Sequence, residues 1–279
     1  MLDNQKDSIK TYFDGVADDY DRACHLSDRQ DSARTYIFSM RKKYVLDMAN
    51  IKNARVLDIG CGPGVFTKEL LKNGCEVWGI DVSEAMIGLA QKRAKEEGYY
   101  KNFHFSVGDI ENLNFPDKNF DFVFCVGVLE YLKDDSAAIR QMNRVLKDNG
   151  RIIITVPNIT SPFVLVDKAV LTAVNIFLKI LNGVLNLVNI KIRIPFERLS
   201  FRNDIVDKYY FPSVLNRNLE AAGFKIDRVM FHAFRSVTLN SISPRLGLFF
   251  MKKLEFLKDS FLKRAGIDYI VKASKLKHE

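Results

Sequence analysis

Three glycines and two aspartates carry the most specific chemistry in this chain. Residues 56–64 read VLDIGCGPG, an apolar strand-like run that breaks into Gly60, Gly62 and Gly64. Glycine at such spacing, after a strand and before a helix, clears side chains away and offers backbone N–H groups to whatever lies at the helix start. Val65 and Phe66 stand where a dinucleotide fingerprint would want its third glycine, and no Lys-Ser/Thr pair follows, so the diphosphate and P-loop readings fail. A nucleoside or amino-acid moiety fits better. Downstream, GIDVSEAM places Asp81 at a strand end, where a carboxylate can accept both hydroxyls of a ribose. VGDIENL places Asp109 and Ile110 at the next rim, suited to an adenine amino group and ring face.

Those residues need a scaffold that brings three strand ends together. Between about residues 40 and 156 strands alternate with helices: strands at 55–60, 76–81, 102–107, 120–126 and 151–156, helices at 65–72, from Ser83, and at 136–146, the last stopped by Asn149-Gly150. This rhythm predicts βαβ units and a parallel sheet covered on both faces, with ligands beyond the carboxyl ends of the strands. After Pro157 the rhythm breaks for about fifty residues. It resumes with a helix at 211–222, a strand at 224–231, a basic amphipathic segment near 247–264 and a short strand at 268–273.

Composition narrows the class. A chain of 279 residues with 47% hydrophobic and 27% charged residues has material for one packed domain with insertions. Cys24, Cys61, Cys75 and Cys125 form no CxxC pair and the four histidines show no metal-ligand spacing, which fits a reduced, cytoplasmic compartment and no metal site. MLDNQKDSIK lacks the apolar core of a secretion signal. The net charge of +8 resides in residues 191–279, the first 190 being near neutral. Attraction to an anionic surface is one reading of that asymmetry; a solvated Lys-rich face is the other.

Taken together, VLDIGCGPG, GIDVSEAM, VGDIENLNF, FDFVFCVGVLEYL and RVLKDNGRIIITVPN resemble the successive motifs of class I S-adenosylmethionine-dependent methyltransferases, small-molecule type, and are similar to those of quinone- and lipid-pathway members. The resemblance implies a Rossmann-like, doubly wound α/β fold with seven strands, the last antiparallel, and a helical insert after the fifth. It implies S-adenosyl-L-methionine as cofactor, held by Asp58, Gly60, Cys61, Gly62, Gly64, Asp81, Val82, Met86, Asp109, Ile110 and Val126, with Tyr20 brought in by an entrance segment within residues 1–40. It also implies methyl transfer as the activity. A sulfonium methyl is already activated, so alignment and exclusion of water are the main tasks, and a general base matters only for a hydroxyl acceptor. Tyr131, Glu130 and His232 are the candidates for that role, Tyr131 standing where quinone-pathway enzymes often have a histidine.

Residues 169–190 read AVLTAVNIFLKILNGVLNLVNI, long enough to span a bilayer. Yet Lys168, Thr172, Asn175, Lys179, Asn182, Asn186, Asn189 and Arg193 recur at spacings of four and three, one polar stripe along a helix that a spanning segment does not need. Three readings stay open: a core or dimer helix, a helix lying on a membrane, and a lid over a hydrophobic acceptor. Within an insert of residues 158–210, the segment 165–202 adds Lys191, Arg193, Arg198 and Arg202, giving apolar and cationic signals for a peripheral membrane contact. A nucleic-acid substrate is not expected, because VGVLEYL lacks a base-flipping motif and the basic residues are not interleaved with aromatic ones. A non-catalytic protein that binds the same cofactor remains the other alternative.

Overall fold

The computed structural model describes residues 3–99, 101–187, 208–260 and 262–277. Seven strands form one sheet: β1 (Arg55–Ile59), β2 (Glu76–Asp81), β3 (Phe103–Val107), β4 (Phe120–Val126), β5 (Leu146–Pro157), β6 (Phe224–His232) and β7 (Asp268–Lys275). Their order is β3-β2-β1-β4-β5-β7-β6. The first five are parallel, and β7 runs antiparallel to both β5 and β6. The chain reverses direction across the sheet between β1 and β4, and there a parallel sheet opens a crevice at its carboxyl edge.

Burial explains why the central strands read as unbroken apolar runs. Leu57, Val123, Ile152 and Ile154 face one layer, where Ile139 and Met142 of α5 (Ser136–Val145) and Leu215 and Leu219 of α7 (Pro212–Ala221) complete a core. Val56, Phe122, Phe124 and Ile153 face the other, against Tyr44, Val45 and Met48 of α2 (Ala33–Ala49) and Leu70 of α3 (Thr67–Lys72). Strands covered on both faces have no need of alternation.

Two serines start helices, one of them, Ser83, as the sequence suggests. Ser83 caps α4 (Glu84–Glu96), its Oγ accepting from Met86 N–H at 3.1 Å. Ser32 caps α2 through a reciprocal pair with Thr35. Elsewhere the boundaries move. α5 stops at Val145, and β5 begins at Leu146 by pairing with Phe120. Asn149-Gly150 is therefore no helix stop: with Asn149 at φ 61 it bulges out between the pairings of Leu146 and Arg151. α3 starts at Thr67, two residues late, because Gly62-Pro63-Gly64 occupies a run of turns.

The insert opens on Asn158, which is fully buried. Its amide donates to the carbonyls of Gly266 (2.8 Å) and Arg264 (3.1 Å), and its oxygen accepts from Thr160. This anchors α6 (Pro162–Leu187), one helix that passes through Gly183 without a break. Its inner face carries Val164 and Asp167; Leu165, Val166, Ile176, Phe177 and Ile180 are exposed. Of the polar stripe, Lys168 and Thr172 have described side chains, while Asn189 and Arg193, and the further basic residues Lys191, Arg198 and Arg202, lie outside the described residues. No helix among the described residues is long and apolar enough to cross a membrane. Two further helices, α8 (Val237–Ile242) and α9 (Pro244–Leu254), follow β6. All four cysteines are buried free thiols.

Candidate active site

A cavity of ≈ 450 Å³ opens at the carboxyl ends of β1, β2 and β4, closed over by the first helix, α1 (Asp3–His25). Each glycine of the turn has a distinct physical reason. Gly60 (φ 65) lies against β4's rim, where a Cβ would come within 2.2 Å of Val128 Cγ2. Gly64 (φ 79) fits beside Thr67 and Ala90, packing α3 to α4. Gly62 (φ 52) faces the cavity, and a Cβ there would meet only the Tyr20 ring, at 3.8 Å. Packing therefore explains two of the glycines, and the third is left bare toward the cavity.

The turn's donors are already committed. Gly60 N–H and Cys61 N–H both donate to the Ile80 carbonyl (2.7 and 3.0 Å), Gly64 N–H donates to Cys61 O, and Gly62 N–H donates to Asp81 Oδ2 at 2.9 Å. The expected N–H cradle is thus spent on holding β1 to β2. Asp81 accepts a second bond at Oδ1 from Ser83 N–H (3.0 Å), which fixes the carboxylate at the rim with lone pairs to spare. Burial pushes its carboxyl upward.

Of the residues expected to hold the cofactor, Gly60, Gly62, Asp81, Val82, Met86, Asp109, Ile110, Val126 and Tyr20 all line the cavity. Asp58, Cys61 and Gly64 do not line it. Asp58 is buried with Oδ2 lacking a hydrogen-bond partner, and burial, reinforced by nearby Asp81, pushes its carboxyl up to about 8. Glu130 and Tyr131, on a short 3-10 turn after β4, line the cavity as well. His232 does not. It is fully buried beneath Asp268, edge-on to Tyr44 at 5.5 Å, and burial pushes its pKa down to about 4. A packed neutral imidazole there has no path to a substrate proton.

Sequence reading missed the groups that close the site. Lys6 of α1 bonds Asp109 Oδ2 at 2.6 Å and also pairs with Glu111, so the rim carboxylate is shared with the entrance helix. Asp14 accepts from Ser83 Oγ (2.6 Å) and Ala85 N–H (3.2 Å), and Asp21 pairs with Arg93, stapling α1 to α4. Phe13 meets Tyr131 edge-on at 5.3 Å. Arg41 of α2 binds Asp268 Oδ2 with Nη2 at 2.6 Å and Nε at 3.1 Å. Burial opposes both charges of this pair, yet their mutual attraction prevails, raising the guanidinium and lowering the carboxyl. These pairs join residues from 69 to 227 positions apart, so only the entrance segment around Tyr20 gave a hint of them.

The residues present fit an adenosine-bearing ligand. Two carboxylates at successive strand ends offer acceptors for hydroxyls and an exocyclic amine, Ile110 offers an apolar face, and the bare Gly62 leaves room that a Cβ would fill. That sheet order, with a glycine turn beside such a rim, is the architecture of class I S-adenosylmethionine-dependent methyltransferases. The comparisons agree. Residues 57–154 match the family described as a methyltransferase domain. The ubiquinone biosynthesis O-methyltransferase of Coxiella burnetii is 31% identical over 119 residues, covering 43% of this chain and 50% of the relative. The chain spans about half the length of the curated relatives it matches. Magnesium protoporphyrin IX methyltransferase from Synechocystis, crystallised with S-adenosylhomocysteine (SAH), shares the fold with a TM-score of 0.59 at 19% identity, over 96% of this chain and 98% of that one. A cyclase shares it too, with a TM-score of 0.58 at 19% identity, over 89% and 84%. Residues 57–154 thus match a methyltransferase domain, the sheet has the class I S-adenosylmethionine-dependent methyltransferase fold, and the sequence is similar to quinone-pathway enzymes.

The two glycine environments give opposite expectations. Gly60→Ala should destabilise the fold by about 2 kcal/mol or more, through the overlap with Val128. Gly62→Ala should cost only the left-handed strain, about 1 kcal/mol, while lowering SAH affinity about tenfold by filling the ligand's space. Melting curves and calorimetry on both variants check this; equal loss of Tm in the two would overturn it.

Proposed function

We propose that this chain transfers a methyl group from S-adenosyl-L-methionine to a small hydrophobic or lipid-linked acceptor, O-methylation being favoured. The observation that carries the reading is the convergence of Gly62, Asp81 and Asp109 on one ≈ 450 Å³ cavity whose roof is a polar-stapled helix. When bound, the cofactor supplies a methyl group on a positively charged sulfur. Asp81 accepts the ribose hydroxyls, and Asp109 with Ile110 receives the adenine, Lys6 sharing Asp109. The turn's N–H groups being committed, its backbone carbonyls are what remain for the ligand's ammonium. Phe13, Tyr20 and Tyr131 exclude water, which strengthens every charge interaction inside. For a hydroxyl acceptor, Glu130 on the β4 rim is the carboxylate placed to take the proton, and Tyr131 orients the acceptor. Support for oxygen as the methylated atom comes from the relatives, which are named as O-methyltransferases.

The exposed side of α6 supports a peripheral contact with an anionic membrane. Ile176, Phe177 and Ile180 are 55%, 62% and 62% exposed on the same helix that carries Val164 and Asp167 inward. A contiguous apolar face of this kind needs a partner, and the basic C-terminal third suits anionic headgroups. A fold does not fix a reaction, as the cyclase on the same fold illustrates, and the second reading is cofactor binding without methyl transfer.

Calorimetry with SAH tests the cofactor half: micromolar binding is expected, and none at millimolar ligand overturns it. Flotation with phosphatidylglycerol-containing vesicles tests the membrane half. The wild type should float and the Phe177→Glu/Ile180→Glu double variant should not. Equal flotation, with a wild-type mass that doubles in sedimentation, would return α6 to a dimer helix.

A further inference from the structure

A second compartment of ≈ 290 Å³ adjoins the first on the β5 side, bounded by Pro157, Val164, Asp167, Tyr209 and Ile267. Arg41, Glu130, Tyr131 and Arg235 line both spaces, so the two meet at a shared waist on the β4 rim. Arg235, just past the end of β6, supplies a cation at that waist, and the carboxylates of the second compartment have partners of their own. Asp268 is held by Arg41, and Asp167 accepts from Ser236 Oγ at 2.7 Å. Arg235 forms no ion pair among the described residues, and its Nε is buried without a hydrogen-bond partner. A guanidinium keeps its charge when partly buried, so donors left without a partner favour an anionic group. Burial lowers its pKa, while the charges of Asp268 and Asp167 act the other way without either closing to ion-pair distance.

We propose that this second compartment holds the methyl acceptor and that Arg235 receives an oxyanion, a carboxylate or phosphate, carried by that acceptor. The assignment rests on the methyltransferase reading of the first cavity. The guanidinium fork matches a planar or tetrahedral oxyanion with two parallel donors, which a carboxylate already bonded elsewhere in the protein does not take up. Pro157, Val164 and Ile267 offer an apolar wall for the rest of the molecule. Glu130, Asp167 and Asp268 surround the cation with negative charge, so the compartment admits one anionic group facing Arg235 and rejects a second. The acceptor is then amphipathic, apolar along its body and anionic at one point.

Titration calorimetry on the full chain, with and without SAH, reads this directly, using benzoate, phenyl phosphate and the neutral isostere benzamide as probes. The wild type should bind one of the two oxyanions about tenfold or more tighter than benzamide, and which one separates the carboxylate from the phosphate. Arg235→Met should erase the preference, and Arg235→Lys should keep part of it, retaining charge without the fork. Neither oxyanion outrunning benzamide in the wild type, or an undiminished preference in Arg235→Met, overturns the proposal. If Arg235→Met does not fold, the wild-type comparison and Arg235→Lys decide the matter. SAH binding without an oxyanion preference removes this inference alone. An oxyanion preference without SAH binding removes the methyltransferase reading and leaves Arg235 as an anion site.

Discussion

Asp81→Asn is expected to lower SAH affinity about a hundredfold while leaving Tm within a few degrees of the wild type. A hydrogen bond to a charged acceptor contributes about 1.5–3 kcal/mol, and the proposed ribose contact uses two of them on one carboxylate. Asn keeps the shape and one acceptor, so it can still take the N–H of Gly62 or Ser83, now bonded at 2.9 and 3.0 Å. The protein itself loses little, because the same substitution removes a carboxylate that burial penalises. Asp109→Asn should act in the same direction with a smaller effect, since that carboxylate is half exposed and shared with Lys6. Calorimetry on the two variants is the check. An Asp81→Asn affinity within twofold of the wild type would remove Asp81 from the cofactor contacts.

The second large effect is on stability, and its direction follows from two buried groups. Asp58 is pushed up to about 8, so below that pH the folded chain holds a proton that an unfolded aspartate, titrating near about 4, has released. Stability therefore falls as pH rises toward 8. His232 is pushed down to about 4, so between about 4 and 6.5 the unfolded chain holds the extra proton and stability rises with pH. Below pH 6.5 the two contributions oppose and nearly cancel. Above it His232 is neutral in both states, so of these two groups Asp58 sets the slope. The protein should lose about 2 kcal/mol between pH 6.5 and 8, from about 1.4 kcal/mol per pH unit for one proton. Asp58→Asn should flatten that decline and melt above the wild type at pH 8.5. Urea midpoints at three pH values decide it; an equal decline in the variant would show that another group controls the slope.

Strands were the most legible part of the sequence. Their apolar runs are dictated by burial on both faces, and Asp81 and Asp109 emerge at adjacent rims because β2 and β3 pair in parallel register, Asp81 opposite Val107. Seven strands and the antiparallel β7 came from the family resemblance, and the sheet bears both out. Local signals misled where tertiary pairing outweighed them. Asn149-Gly150 looked like a helix stop, but Leu146 pairs with Phe120, and the Asn-Gly dipeptide becomes a bulge. The glycines looked like an N–H cradle, but Ile80 and Asp81 at the end of β2 take up those donors, and no local pattern announces it. Lys6 on Asp109, Arg41 on Asp268 and Arg235 at the waist had no sequence signature, since each is defined by what lies opposite it in space.

The four buried thiols give the molecule its own gauge of opening. Burial pushes Cys24 up to about 12 and raises Cys61 and Cys125 as well, so the nucleophilic thiolate is scarce in the folded chain at neutral pH. They also lie at different depths: Cys24 near the end of α1, Cys61 under the glycine turn, Cys75 at the start of β2, and Cys125 in mid-sheet. An alkylating reagent therefore counts excursions rather than surfaces. Modification of Cys24 alone times the lifting of the first helix, while modification of Cys125 times the loss of the whole sheet.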